Sequence, residues 1–258
     1  MLGYIKEKIH NQIIRLHDYR DAFLYNRYKR KALIPFNKNW FEGKRVAIIG
    51  GADSAYKHKL GDYIDSFDVV VRINNGVRVI DKYKEFIGTR TDYLFHTLYE
   101  NIEGGGSPIE IELWKRKNVG RVFFTHNENV SEYGYLIKNF VLSNKGTIAI
   151  TQADTTLAVE NLNLIHPFHP TSGLIAINII TQSKPLSLYI TGITFFRTPH
   201  HQEYRKGDVN HWINKMKSDD SKHNPDAEYE FFKDLYRSNS EIFILDKTLK
   251  DIIDNDYE

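Results

Sequence analysis

Short apolar runs alternate with segments of helical periodicity from Arg45 to Leu245, and few folds accommodate that alternation. The runs at 45–49, 68–73, 91–95, 119–124, 147–151, 186–193 and 242–245 have strand length and are rich in Val, Ile and Phe. Between them the spacing predicts helices over 52–66, 79–87, 109–117, 131–143, 154–164, 172–181 and 225–237. Such an order predicts an α/β fold with a Rossmann-like, mostly parallel sheet flanked by helices. Gly104-Gly105-Gly106 marks a flexible loop. The polar stretch 197–224 is too long for a simple connection, a length characteristic of lids and functional loops.

The first functional signal lies in Arg45–Gly76. The apolar run Val46–Ile49 breaks at Gly50-Gly51, and the next, Val69–Val71, ends in Arg72-Ile73-Asn74-Asn75-Gly76. A strand ending in glycines exposes backbone N–H groups at the edge of a sheet, where phosphates and nucleotides bind. Neither GxGxxG nor GxxxxGK[ST] occurs, so a dinucleotide site and a P-loop are both poorly supported.

Residues 1–40 differ in character from 41–258. Over 1–35 the apolar positions Leu2, Ile5, Ile9, Ile13, Leu16, Phe23 and Leu24 recur at near-helical spacing. Eight Lys and Arg face three acids there, a charge of +5, which predicts a basic amphipathic helix or a helical hairpin. Such a helix suits an anionic membrane surface, and equally suits packing on the domain with its basic face in water. Elsewhere charge is balanced, the whole chain carrying +2, which gives little support to nucleic-acid binding. There is no cysteine, so disulfides and thiolate metal sites are excluded and a reducing, cytoplasmic setting is expected, with the basic helix at the inner membrane as an option.

Two further clusters suggest chemistry. In His169-Pro170-Thr171-Ser172-Gly173, Thr171 or Ser172 can cap the apolar helix that follows, and hydroxyls beside free helical N–H groups suit a phosphate. The polar stretch holds His200, His201, His211 and His223, with Glu203 and Glu228 nearby in sequence. Their spacing matches no common metal motif. A histidine can take a proton from a sugar hydroxyl near neutral pH, and a carboxylate can orient it. Pro225 places His223 just ahead of a helix.

In order, these residues resemble the sialylmotifs of glycosyltransferase family 29. Ile64-Asp65-Ser66-Phe67-Asp68-Val69-Val70-Val71-Arg72-Ile73-Asn74 is similar to the long motif, and Gly88-Thr89-Arg90-Thr91 to its downstream signal. Pro170-Thr171-Ser172-Gly173 resembles the short motif, His200-His201-Gln202-Glu203 an H-x-x-E element, and His223 to Glu228 the final His-x4-Glu motif. The resemblance implies a GT-A-like variant of the α/β fold over 41–258. It also implies an inverting, metal-independent transfer of a sugar acid, sialic acid or Kdo, from a CMP donor to a glycan or glycolipid. His223 would be the general base, with Glu228 beside it in the last motif. His200 or His201 would steady the leaving phosphate. Asn74, Thr171, Ser172 and Gly173 would hold the nucleotide, with Gly50 and Gly51 at the first turn. Bacterial surface glycans, lipooligosaccharide or capsule, are the implied acceptors. The sequence departs from the family at Gly51, where an asparagine is usual, and in having neither the family disulfide nor the anchor of the animal enzymes. Such departures suit a bacterial cytoplasmic relative. The altered turn also leaves open a CMP- or glycan-binding protein of the same fold without catalysis.

Overall fold

The computed structural model describes residues 18–102, 106–205, 209–216, 218 and 221–256. The first part of the predicted basic helix (1–17), Gly104 and Gly105 of the glycine loop, and 206–208, 217, 219 and 220 of the polar stretch lie outside the described residues.

Seven strands form one sheet in the order β5-β4-β3-β2-β1-β6-β7, and every pair is parallel. They are β1 (Arg45–Ile49), β2 (Val69–Ile73), β3 (Tyr93–His96), β4 (Arg121–Phe124), β5 (Ile150–Gln152), β6 (Ser187–Thr191) and β7 (Phe243–Leu245). All five β2 residues are buried, Arg72 among them, as expected of a strand covered on both faces; the Arg72 guanidinium is taken up by the Ile87, Gly88 and Arg90 carbonyls and Thr91 Oγ. Alternate residues serve the two faces. Val46, Ile48, Val71, Phe95, Phe123 and Ile190 join one core, while Ala47, Ile49, Val70, Leu94, Val122 and Tyr189 point the other way.

The first face is covered by α6 (Thr155–Leu162), α7 (Ser172–Gln182), α9 (Pro225–Ser238) and α10 (Lys247–Asn255). Ten successive residues of α7, Ser172–Thr181, are buried, so this helix is apolar on all sides. The second face carries α2 (Gly61–Asp65), α3 (Ile80–Ile87), α4 (Ile111–Arg116) and α5 (Tyr135–Asn144).

A helix over 18–32, α1, carries the part of the basic segment that is described. Tyr25, Tyr28 and Ala32 pack beside the β5 edge, Lys29 pairs with Glu128 at 2.7 Å, and Leu33 pairs with Ile150. Tyr19 and Phe23 stand in solvent, 75% and 66% exposed. No helix among the described residues is long and apolar enough to cross a membrane.

The helix expected over 52–66 is broken into a 3-10 turn, Asp53–Tyr56, and the short α2. The strand-end pairing runs on past β1: Ala52 is extended (φ −72°, ψ 155°) and bridges His200, with its N–H donating to Gly192 O at 2.8 Å and Asp53 N–H to Pro199 O at 2.9 Å, so the turn starts only after it. Among the described residues two helices went unpredicted: α8 (Val209–Met216) inside the polar stretch, and α10 after the last strand.

Candidate active site

The chain runs from β1 outward to β5, then returns to place β6 on the other side of β1. The β1–β6 boundary is therefore the point where an open parallel sheet leaves a crevice at its carboxyl edge. Gly50 and Gly192 meet there. A Cβ on Gly50 would run into the Gly192 carbonyl, and one on Gly192, whose φ is +72°, would lie 2.7 Å from the Gly50 oxygen. Only glycine permits that approach. The Gly192 N–H is held by Ser54 Oγ at 3.2 Å and Asp246 Oδ2 at 3.1 Å. Asp246 also caps α10 through Leu249 N–H at 2.8 Å, so the unforeseen C-terminal helix braces the crevice.

Above these turns opens a cleft of about 470 Å³. It reaches across the ends of β2, β3 and β4 to the start of α7. Asn74, in a left-handed conformation (φ +43°) just past β2, lies at its centre. Its Oδ1 accepts from Thr97 N–H at 3.3 Å, and its Nδ2 lies 3.5 Å from Ser172 Oγ. Thr171 caps α7, leaving the Ser172 and Gly173 N–H groups in the first turn, where a helix offers donors to an anion.

A Cβ on Gly173 would meet nothing in the protein closer than 3.5 Å. The protein itself therefore does not require glycine at this position, whereas close backbone approach by a ligand would. Gly173→Ala should leave the melting temperature unchanged or raised, since Ala favours helix by about 1 kcal/mol, yet weaken CMP binding. Unaltered CMP affinity by calorimetry would argue against a ligand at this helix end.

His223 also lines the cleft. Its Nδ1 lies 2.6 Å from the His169 carbonyl oxygen, and His169 N–H donates to Lys222 O at 2.7 Å. A carbonyl only accepts, so Nδ1 carries the hydrogen and Nε2 keeps its lone pair. Burial lowers the His223 pKa, so the ring is neutral at neutral pH.

Two expectations are corrected here. Glu228 does not orient His223: its carboxylate accepts from Thr171 N–H at 2.6 Å and Thr171 Oγ–H at 2.8 Å, and the His169 carbonyl orients the ring instead. One and a half helical turns carry Glu228 from the loop of His223 to the cap of α7. His201 lies outside the cleft lining, stacked on Tyr56 at 3.9 Å and edge-on to Tyr83. Its backbone N–H donates to Gly51 O, an alternation that turns His200 inward and His201 outward. His211 is exposed on α8, and Glu203 pairs with Lys82 at 2.6 Å on the surface.

His200 does line the cleft, parallel to Tyr204 and edge-on to Phe196. Burial pushes its pKa down to about 3 and that of His126, at the end of β4, to about 4. Burial pushes the Glu228 carboxyl up to about 8, against the pull of its two Thr171 bonds. Among the described residues the cationic side chains on the cleft wall are Arg205, Lys215 and Lys222. No group of three or more His, Cys, Asp or Glu among the described residues is arranged to hold a metal ion.

The sequence profile of Glycosyltransferase family 29 (sialyltransferase) matches residues 23–240. The chain belongs to glycosyltransferase family 29. No curated protein matches it significantly in sequence. Among solved structures, a mammalian sialyltransferase superposes with a TM-score of 0.52 at 13% identity, covering 88% of this chain and 84% of its own. Sialyltransferase CstII from Campylobacter jejuni, in complex with the substrate analogue CMP-3FNeuAc, gives 0.53 at 14% identity, covering 79% and 81%. The monofunctional α-2,3-sialyltransferase Cst-I of the same organism gives 0.52 at 16%, covering 83% and 78%. These likenesses establish a shared sialyltransferase fold, with its seven parallel strands, as the sequence led one to expect.

Family membership sharpens the departure at Gly51. A Cβ there would enter the ring of Tyr204, whose Oη–H donates to Ile73 O at 2.9 Å. Tyr204 fills the space that a side chain at position 51 would need, so position 51 offers the cleft only its backbone. Sequence reading overlooked Tyr204, His126, Tyr133, Arg205 and Trp212. No local pattern signalled them: 126–133 holds a single Phe, Trp or Tyr, no more than the chain average of 13%.

Proposed function

We propose that this chain is an inverting transferase that moves a 2-keto sugar acid from a CMP-linked donor to a hydroxyl of a glycan or glycolipid. The observation that carries the reading is the pairing, in one cleft, of a His223 ring with a bare Nε2 and the donor-rich start of α7. Nε2 takes the proton of the acceptor hydroxyl. The freed oxygen pair forms the new bond to the anomeric carbon as the bond from that carbon to the phosphate oxygen breaks. The bonding pair leaves with CMP, and the centre inverts. Charge growing on the departing phosphate meets the Ser172 and Gly173 N–H groups and a neutral His200 that donates a hydrogen bond.

Catalysis without metal is part of the proposal, since backbone N–H groups and the cations of the cleft wall meet the phosphate charge. An inactive binder of the same fold was suggested by the altered glycine turn. Tyr204 accounts for that turn in packing terms, and the catalytic reading is preferred. Sialic acid is the first choice of donor sugar, supported by the family, and Kdo is its competitor.

The test measures CMP release from CMP-Neu5Ac and CMP-Kdo with a lipooligosaccharide acceptor, with and without EDTA. Release from CMP-Neu5Ac, unaffected by EDTA, is expected. Loss of activity in EDTA would remove the metal-independent step, and absence of binding or turnover with both donors would remove the donor class.

A further inference from the structure

We propose that Arg205 reads the carboxylate of the donor's sugar acid, distinguishing an intact donor from the bare nucleotide. This rests on the donor class proposed above. Three observations converge on Arg205.

The first is anchorage. Arg205 follows Tyr204, whose ring packs on Gly51 and whose carbonyl accepts from Asn75 Nδ2 at 3.0 Å. The Arg205 N–H itself donates to His201 O at 3.1 Å. The side chain thus starts from a fixed point beside the glycine crevice.

The second is shape. Arg205 lines the cleft, and its guanidinium carbon lies 4.4 Å from the centre of the buried Trp212 ring on α8. Packing against an indole face restrains the orientation of a planar fork, and a guanidinium fork matches a carboxylate with two parallel hydrogen bonds.

The third is position. Arg205 lines the same cleft as His200 and His223. In a 2-keto sugar acid the anomeric carbon bears the carboxylate, carries the departing phosphate oxygen and receives the acceptor oxygen. A cation on the wall that also carries both histidines is therefore on the side of the donor where that carboxylate lies.

A phosphate is also an anion that a guanidinium can bind, and the two sources separate by titration. Wild type, Arg205→Gln and Arg205→Lys are titrated calorimetrically with CMP and with CMP-3FNeuAc. CMP has the phosphate and no carboxylate. Loss of a charged hydrogen-bonded pair should weaken CMP-3FNeuAc about 10- to 100-fold in Arg205→Gln, with CMP affinity essentially unchanged. Arg205→Lys, which keeps the charge without the fork, should fall between. Equal losses for both ligands would assign Arg205 to the phosphate or to the fold, and no loss for the donor analogue would remove it from recognition; either overturns the proposal. Failure of wild type to bind either ligand would instead overturn the donor class itself.

Discussion

His223→Ala should lower turnover by about 10²- to 10⁴-fold, the usual contribution of a positioned general base, while CMP affinity stays close to that of wild type. The prediction follows from a division of labour within one cleft. In the proposed mechanism Nε2 of His223 takes the acceptor proton, whereas the nucleotide would be held by Asn74 and the first turn of α7, none of which bonds to the imidazole. Single-turnover CMP release measures the first quantity and calorimetry the second. Unchanged turnover would remove His223 from the mechanism, and a matching loss of CMP affinity would make it a structural residue. The pH profile gives a second readout. Burial lowers the His223 pKa below the ordinary 6.5, so the base stays unprotonated through neutral pH and the acid limb of activity should lie below 6.5.

Glu228→Gln should change the pH dependence of stability more than any surface substitution. In the folded chain burial holds the Glu228 carboxyl protonated up to about 8, against an ordinary 4.5. Between those values the folded state binds the extra proton, so raising the pH favours unfolding, and stability falls until the pH passes about 8. His96, His126 and His200 work in the opposite sense. Burial depresses them to about 3, about 4 and about 3, so the unfolded chain takes up protons first as the pH drops below 6.5. Three histidines outweigh one carboxyl on the acid side, which puts maximal stability at roughly pH 6.5. Urea denaturation across pH 5–9 should show a decline above that point in wild type and a flat alkaline limb in Glu228→Gln. An alkaline decline that survives in the Gln variant would acquit Glu228. Glu228→Ala goes further, since it leaves the Thr171 N–H and hydroxyl without their acceptor, at a cost of about 1–3 kcal/mol.

How much of this was legible in the sequence depended on whether a signal was local. The strands declared themselves because a doubly covered parallel strand is nearly continuously apolar, as in Val46–Ile49. The α7 start was legible because a Thr cap before an apolar run is a local signature, and Pro225 likewise marked α9. What failed was long-range. Nothing near Glu228 says that its carboxylate reaches Thr171, 57 residues earlier. Nothing in HHQEY says which of two adjacent histidines turns inward; that follows from the His201 N–H pairing with Gly51 O. Asp53–Tyr56 has a helical composition, yet Ala52 before it is held extended by pairing with His200, 148 residues on, which no local pattern shows. Gly51 looked like a lost contact until Tyr204, 153 residues on, was seen to fill the space.

The links between 222–228 and 169–171 have a consequence for how such a protein can change over generations. His169 N–H to Lys222 O, His223 Nδ1–H to His169 O and the two Thr171 bonds to Glu228 join the base and the anion cradle into one block. The loops at 97–102 and 194–205, which also line the cleft, contribute none of those bonds. Drift in their length and sequence can therefore select new acceptors without re-solving the geometry of the chemical step. A lineage built on this scaffold would be expected to diversify in what it decorates far faster than in how it transfers.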